Sequence, residues 1–226
     1  MLLSVRVLPI CASLIGFTGI LASLCLSLLT NSVDWNAKHT YYISEFTGLF
    51  PQSVPFMFGV FISSMLFFST SKFLIARLLS YSFKRTSSFL SIFMYFSVVS
   101  AFLMASISTY DSDYHTLFTW FFFGSSVLTA FLITTSSFLF RSKNKNLVSI
   151  CSCLAQLFLT CLMSSSVVLL GIYLIYPSLA AKFSFDICVY LEWISVTLIL
   201  TMLGFMGCTL KGDKIQYSYT LTPKYQ

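Results

Sequence analysis

The chain has 226 residues, of which 57% are hydrophobic and only 9% charged, with a formal net charge of +6. A soluble domain carries roughly 25% charged residues, so this surface is too poor in charge for water. Nucleic-acid binding, disorder and a secreted disulfide scaffold are excluded in favour of an all-α polytopic membrane protein.

Charge-free runs place the elements in chain order. They measure 27 residues between Arg6 and Asp34, 26 between Glu45 and Lys72, and 25 between Arg85 and Asp111. They continue with 25 between His115 and Arg141, 36 between Lys145 and Lys182, and 18 between Glu192 and Lys211. About 20 apolar residues cross a bilayer as a helix, so each run holds one span. The predicted spans are 8–30, 53–75, 87–109, 115–139, 148–175 and 187–209. They form a six-helix transmembrane bundle in a single membrane domain, 1–210, followed by a short tail, 211–226. The runs lack the polar–apolar alternation of a membrane β-barrel.

Eleven of the thirteen basic residues fall at the termini and in the even-numbered loops. They are Arg6; Lys72, Arg77, Lys84 and Arg85; Arg141, Lys143 and Lys145; and Lys211, Lys214 and Lys224. The positive-inside rule then puts both termini in the cytosol. The sorted charge is +10 on that side and −4 on the other. Trp35, Tyr41, Tyr42, Tyr110, Tyr114, Tyr173, Tyr176, Tyr190 and Trp193 gather at the outer span ends, the depth that amphipathic rings prefer.

The seven cysteines lie inside spans or at their ends, so no disulfide is expected. No nucleotide-binding glycine motif, HExxH or nucleophile elbow occurs. The serine groups 63–64, 136–137 and 164–166 read as helix-packing surfaces. No catalytic residue, metal site or cofactor is assigned.

The outer face carries the candidate chemistry. Glu45 lies in the segment Tyr42-Ile43-Ser44-Glu45, ahead of Gly48 and Pro51, which interrupt regular structure; Pro51 suits the opening of the second span. His115 opens span four after Asp111 and Asp113. Glu192, followed by Trp193, stands about 27 Å from Lys211 along a helix, near the outer hydrocarbon boundary. A carboxylate at that depth is a functional-site candidate. Asp186 is a helix-start acid, favourable at the positive end of the helix dipole. Glu45, His115 and Glu192 form the candidate cluster, suited to a lipid headgroup, a cation or acid–base chemistry.

These segments resemble the FRAG/DRAM/SFK superfamily. Tyr42-Ile43-Ser44-Glu45, Gly48 and Pro51-Gln52-Ser53 follow its first-loop pattern PYIS-D/E-x-G-x-x-P-P-x-S. The end of span three (Ser100 to Tyr110), His115 at the start of span four and Leu191-Glu192-Trp193 follow its later motifs. Tyr41 replaces the first proline, Gln52 the second, and Leu210-Lys211-Gly212-Asp213 stands where the family has aspartate-phenylalanine. The resemblance makes Tyr42, Ile43, Ser44, Gly48, Pro51 and Trp193 motif residues. It implies a non-enzymatic, lipid-interacting modulator of autophagy or lysosomal function of the DRAM type, in lysosomal or endosomal membrane. Its alternatives are a PGAP-type protein of GPI-anchor lipid remodelling in the Golgi or endoplasmic reticulum, and an SFK-type factor in plasma-membrane lipid homeostasis. The expected partners are membrane lipids and other membrane proteins, with no nucleic acid. A small transporter is a further alternative and needs a polar path through the bundle.

Overall fold

The computed structural model describes residues 3–32, 41–80, 82–107, 112–141, 147–176, 187–210 and 214–215. Asp34, Trp35, Lys38, Tyr110, Asp111, Lys143, Lys145, Lys182, Asp186, Lys211 and Lys224 lie outside these segments. Six helices are long and apolar enough to cross a membrane. They are α1 (Val7–Leu29), α3 (Ser53–Ser80), α4 (Lys84–Ser106), α5 (Ser112–Arg141), α6 (Leu147–Ile175) and α7 (Ile187–Thr209). A five-residue helix, α2 (Ile43–Thr47), lies between α1 and α3.

Helix ends follow local chemistry. After α1, Asn31 takes φ 48°. Its N–H donates to Leu28 O at 3.3 Å and that of Ser32 to Ser27 O at 3.2 Å. This left-handed closure satisfies carbonyls that the helix end would orphan. Ser82, at φ 66°, closes α3 the same way through Leu79 and Leu78.

Before α3 the Phe50–Pro51 peptide is cis. Ser53 opens the helix, and the Val54 N–H donates to Pro51 O at 3.2 Å. Pro51 therefore precedes the helix by two residues instead of forming its first turn. At its far end α3 runs to Ser80, past the expected 75. Arg77 is thus a helical residue and not a loop residue, and Lys72 is helical within the expected span. Lys72 and Arg77 each set a cation 4.6 Å from a ring centroid, Phe68 and Phe140 respectively, with apolar stems along the helix.

Each spanning helix packs on the next in sequence, and α7 returns to α1, closing a ring of six. Gly19 and Gly59 permit the closest α1–α3 approach. A Cβ on either would stand 2.9 Å from the other's Cα. Two-residue strands β1 (Leu3–Ser4) and β2 (Lys214–Ile215) pair antiparallel, so the two ends of the described chain share one face of the bundle.

The half near the termini is filled by Leu74, Leu78, Leu90, Met94, Met206 and Leu210, all at most 1% exposed. Leu14, Phe58, Ile92, Phe131 and Phe158 are more than half exposed, as a lipid-facing girdle requires. The serine groups act at helix contacts. Ser63 donates to Ala12 O, Ser137 to Gln156 Oε1 and Ser195 to Ser166.

Candidate functional site

The segment from Tyr41 to Ser53 is folded into the face opposite the termini, against α1 and α7. The first turn of α2 would otherwise present free N–H groups, because no residue before it offers a standard cap. Two carboxylates meet this need. Glu45 Oε2 accepts from the Tyr42 N–H at 2.8 Å, within the same turn. Glu192 Oε2 accepts from the Ile43 N–H at 2.9 Å, across 149 positions of chain. Glu192 also takes hydrogen bonds from the Ser44 N–H and side chain. It is a helix cap supplied by a different helix.

Trp193 acts beside it. Its Nε1–H donates to Tyr41 O at 3.1 Å, and its ring stacks on Phe46 at 5.7 Å and 26°. Ile43 and Phe46 are buried with Ile20 and Leu200. The adjacent residues Glu192 and Trp193 thus grip both sides of one short segment. Burial, followed by the nearby Cys188, pushes the Tyr42 phenol well above its ordinary pKa; Glu192 and Glu45 add to the shift. Tyr42 therefore stays neutral, and its hydroxyl is hydrogen-bonded with Cys188.

Gly48 caps the end of α2, its N–H donating to Ser44 O at 3.0 Å. The segment is then sewn to α1. Ser23 donates to Gln52 O at 2.7 Å and Ser27 to Phe46 O at 3.3 Å. The Gln52 side chain is 1% exposed. With its amide nitrogen towards Leu49 O (3.1 Å) and Phe50 O (3.2 Å), its oxygen accepts from the Thr30 and Ser32 hydroxyls. That orientation keeps the amide oxygen away from two carbonyls, which cannot donate.

His115 lies three residues into α5, and its Nδ1 is 3.1 Å from Ile107 O at the end of α4. A carbonyl only accepts, so Nδ1 carries the proton, and Nε2 of the neutral ring is an acceptor.

His115, Ser44 and Glu192 line one cavity of about 140 Å³ inside the ring. That is roughly ten times the 10–15 Å³ that lodges a water. Its walls come from all six spanning helices and α2, and they are mostly apolar. Along α5 it runs from His115 to Ile133, about 27 Å of helix. Ile43, Ser44 and Thr47 of α2 form part of its lining.

Depth separates the candidates. Ser137, Gln156 and Phe205 are joined by hydrogen bonds of 2.6 and 3.1 Å, so they share one level. Counting up equally from there brings Glu192 on α7 level with Gly124 on α5, about 14 Å of helix rise below His115. Glu45 and Glu192 thus meet at the first turn of α2. His115 shares the cavity with Glu192 but stands nearer its rim. Charge counting missed Gln52 and Gln156, because neither is ionisable. Gln156 is wholly buried and links α5 to α7. Their one sequence signal is an amide within or beside an apolar run.

The family model described as Frag1/DRAM/Sfk1/Cwh43P N-terminal domain matches residues 4–210. The chain belongs to that family. The match takes in every spanning helix and the Tyr41–Ser53 segment, so the motif residues above are held in place within a Frag1/DRAM domain. No curated protein and no solved structure matches the chain.

Proposed function

We propose that this Frag1/DRAM-family protein is a non-enzymatic, lipid-interacting membrane modulator of the DRAM type, acting on autophagy or lysosomal function. The observation that carries the lipid part is the mostly apolar cavity inside the helix ring, lined by all six spanning helices. Apolar cavities favour apolar occupants over water, and the bilayer is the nearest supply. The non-enzymatic part rests on Glu192. Its hydrogen bonds go to α2, which suits a positioning group better than a general base. The autophagic and lysosomal part rests on family resemblance alone.

In this reading both termini face the cytosol, by the charge distribution, and the Tyr41–Ser53 segment faces the lumen of a lysosome or endosome. The experiment is deletion of the protein, with autophagic flux and the location of a tagged copy measured together. Reduced flux restored by the wild-type chain, with the tag in lysosomes or endosomes, is the expected result. Unchanged flux would refute the reading.

One observation favours a second reading, lipid remodelling of GPI anchors as in PGAP-type relatives. A serine hydroxyl, an imidazole and a carboxylate line the same cavity: Ser44, His115 and Glu192. Deletion would then change the anchor acyl chains of surface proteins while leaving flux intact, with the tag in the Golgi or endoplasmic reticulum.

A further inference from the structure

The polar groups at the outer end of the cavity have spent their protons on one another. His115 donates from Nδ1 to Ile107 O, which leaves Nε2 as an acceptor. Thr119 donates to His115 O and Thr47 to Ile43 O, each at 2.7 Å. The Ser44 hydroxyl, the Ser44 N–H and the Ile43 N–H all end on Glu192. Ser44, Thr47, His115, Thr119 and Glu192 line the cavity, and all but Thr47 are only part-buried. What this end still offers is lone pairs. A carboxylate has about four acceptor sites, and three donors leave Glu192 with one to spare. The other hydroxyls of the lining lie deeper. Ser126, paired with Ser97, and Thr129 follow the level of Glu192 along α5. Ser63, beside Ser64, reaches the level of Gly16 and Leu200, about 12 Å of helix rise below Glu192.

We propose that this end of the cavity binds the ammonium group of a single-chain amphiphile, with Glu192 as its counter-ion and the chain running inward to Ile133, Met163 and Met202. The inference rests on the reading of the cavity as lipid-holding and names its occupant. Charge is the first reason. Glu192 is the one acidic residue of the lining, and no Lys or Arg lines it. Glu45 and Asp113 stand at the same face, where no Lys or Arg occurs among the described residues. A phosphate or carboxylate head would meet no countercharge, whereas a cation is drawn in. Hydrogen bonding is the second. An ammonium brings three donors and no acceptor, the complement of a wall with only acceptors left. Burying a charge is costly unless it is paired and hydrogen-bonded; Glu192 supplies the pair, and Ser44 and Thr47 supply oxygens. Space is the third. Room for roughly ten waters suits one chain better than two. From Glu192 to Met202 the rise along α7 is about 15 Å. His115 and Thr119, nearer the rim, add acceptors along the way in.

The test uses the purified full-length protein in phosphatidylcholine nanodiscs at pH 7, where a primary alkylamine is protonated. Three photoactivatable, alkyne-tagged probes of equal chain length are compared: a long-chain amine, the matching alcohol and the matching fatty acid. The expected result is labelling of α5 between Thr119 and Ile133, strongest with the amine, weaker with the alcohol and absent with the fatty acid. The untagged amine should compete. Ethanolamine, a head without the chain, should not, and equal competition by it would overturn the amphiphile. Glu192→Gln keeps an oxygen for the Ile43 N–H and removes the charge. It should weaken the amine roughly tenfold, the difference between a charged and a neutral hydrogen bond, and leave the alcohol unchanged. A residue acting only through α2 would weaken both probes alike.

Ala130→Phe fills the cavity and should abolish labelling, and Ala130→Leu serves if the larger side chain prevents folding. If the alcohol or the fatty acid labels as strongly as the amine, or Glu192→Gln affects amine and alcohol equally, the amine assignment falls while the lipid-holding reading stands. If no probe labels the cavity, or labelling ignores the Ala130 variants, both fall.

Discussion

The two halves of the ring are held by different physics. Near the termini, buried apolar side chains from five of the spanning helices pack into one cluster with β1-adjacent Val5. On the opposite side, a segment of about a dozen residues is held by directed bonds from distant positions: Glu192 to Ile43, Trp193 to Tyr41, Ser23 to Gln52. Packing is spread over many contacts and tolerates local change only by collapsing around it. Directed bonds concentrate the burden on a few atoms and release their segment when one is lost. The half with the Tyr41–Ser53 segment is therefore the half that can open without unfolding the other.

The strongest test of that contrast is Leu78→Ala in the packed half. It should cost about 2–5 kcal/mol and lower the thermal transition of the whole protein. Glu192→Ala should cost less, about 2 kcal/mol, by leaving the α2 N–H groups unmet. Its effect should stay local. Hydrogen exchange at Ile43 and Ser44 should rise roughly 30-fold, with amides near Leu78 unchanged. If both regions loosened together, the contrast would be wrong.

Gln52→Leu comes next. It removes the bonds to the Thr30 and Ser32 hydroxyls and should cost about 1–2 kcal/mol, read as faster proteolysis between α1 and α3. Trp193→Phe keeps an aromatic ring against Phe46 and removes one N–H donor, so about 1 kcal/mol is expected, visible as increased exchange in the Tyr41–Phe46 segment. The smallest effect is Arg77→Met. It loses a cation–π contact with Phe140 worth about 0.5–1 kcal/mol and should shift the melting temperature by only a degree or two.

The spans were legible because a bilayer imposes a length, and charged residues mark where that length ends. The same rule stopped short at α3, where Arg77 belongs to the helix beyond the expected 75. Its long stem lets the backbone continue while the cation finds a ring. Glu192 was legible as costly, since few acids lie so close to an apolar run. Its partner was not. A bond between positions 43 and 192 leaves no trace in spacing, and the donor is a backbone N–H that every residue but proline has. Gln52 stood out only as a departure from a family proline, yet it is a buried junction of the Tyr41–Ser53 segment.

The pairing of Leu3–Ser4 with Lys214–Ile215 has a further consequence. Spatial order around the ring equals chain order, and the two ends of the described chain meet. The molecule is topologically a closed necklace cut between its last and first beads. Joining those ends and cutting instead between α3 and α4 would leave each helix beside its present neighbours. Such a permuted chain would move the free ends without disturbing the Tyr41–Ser53 segment or the cavity it covers.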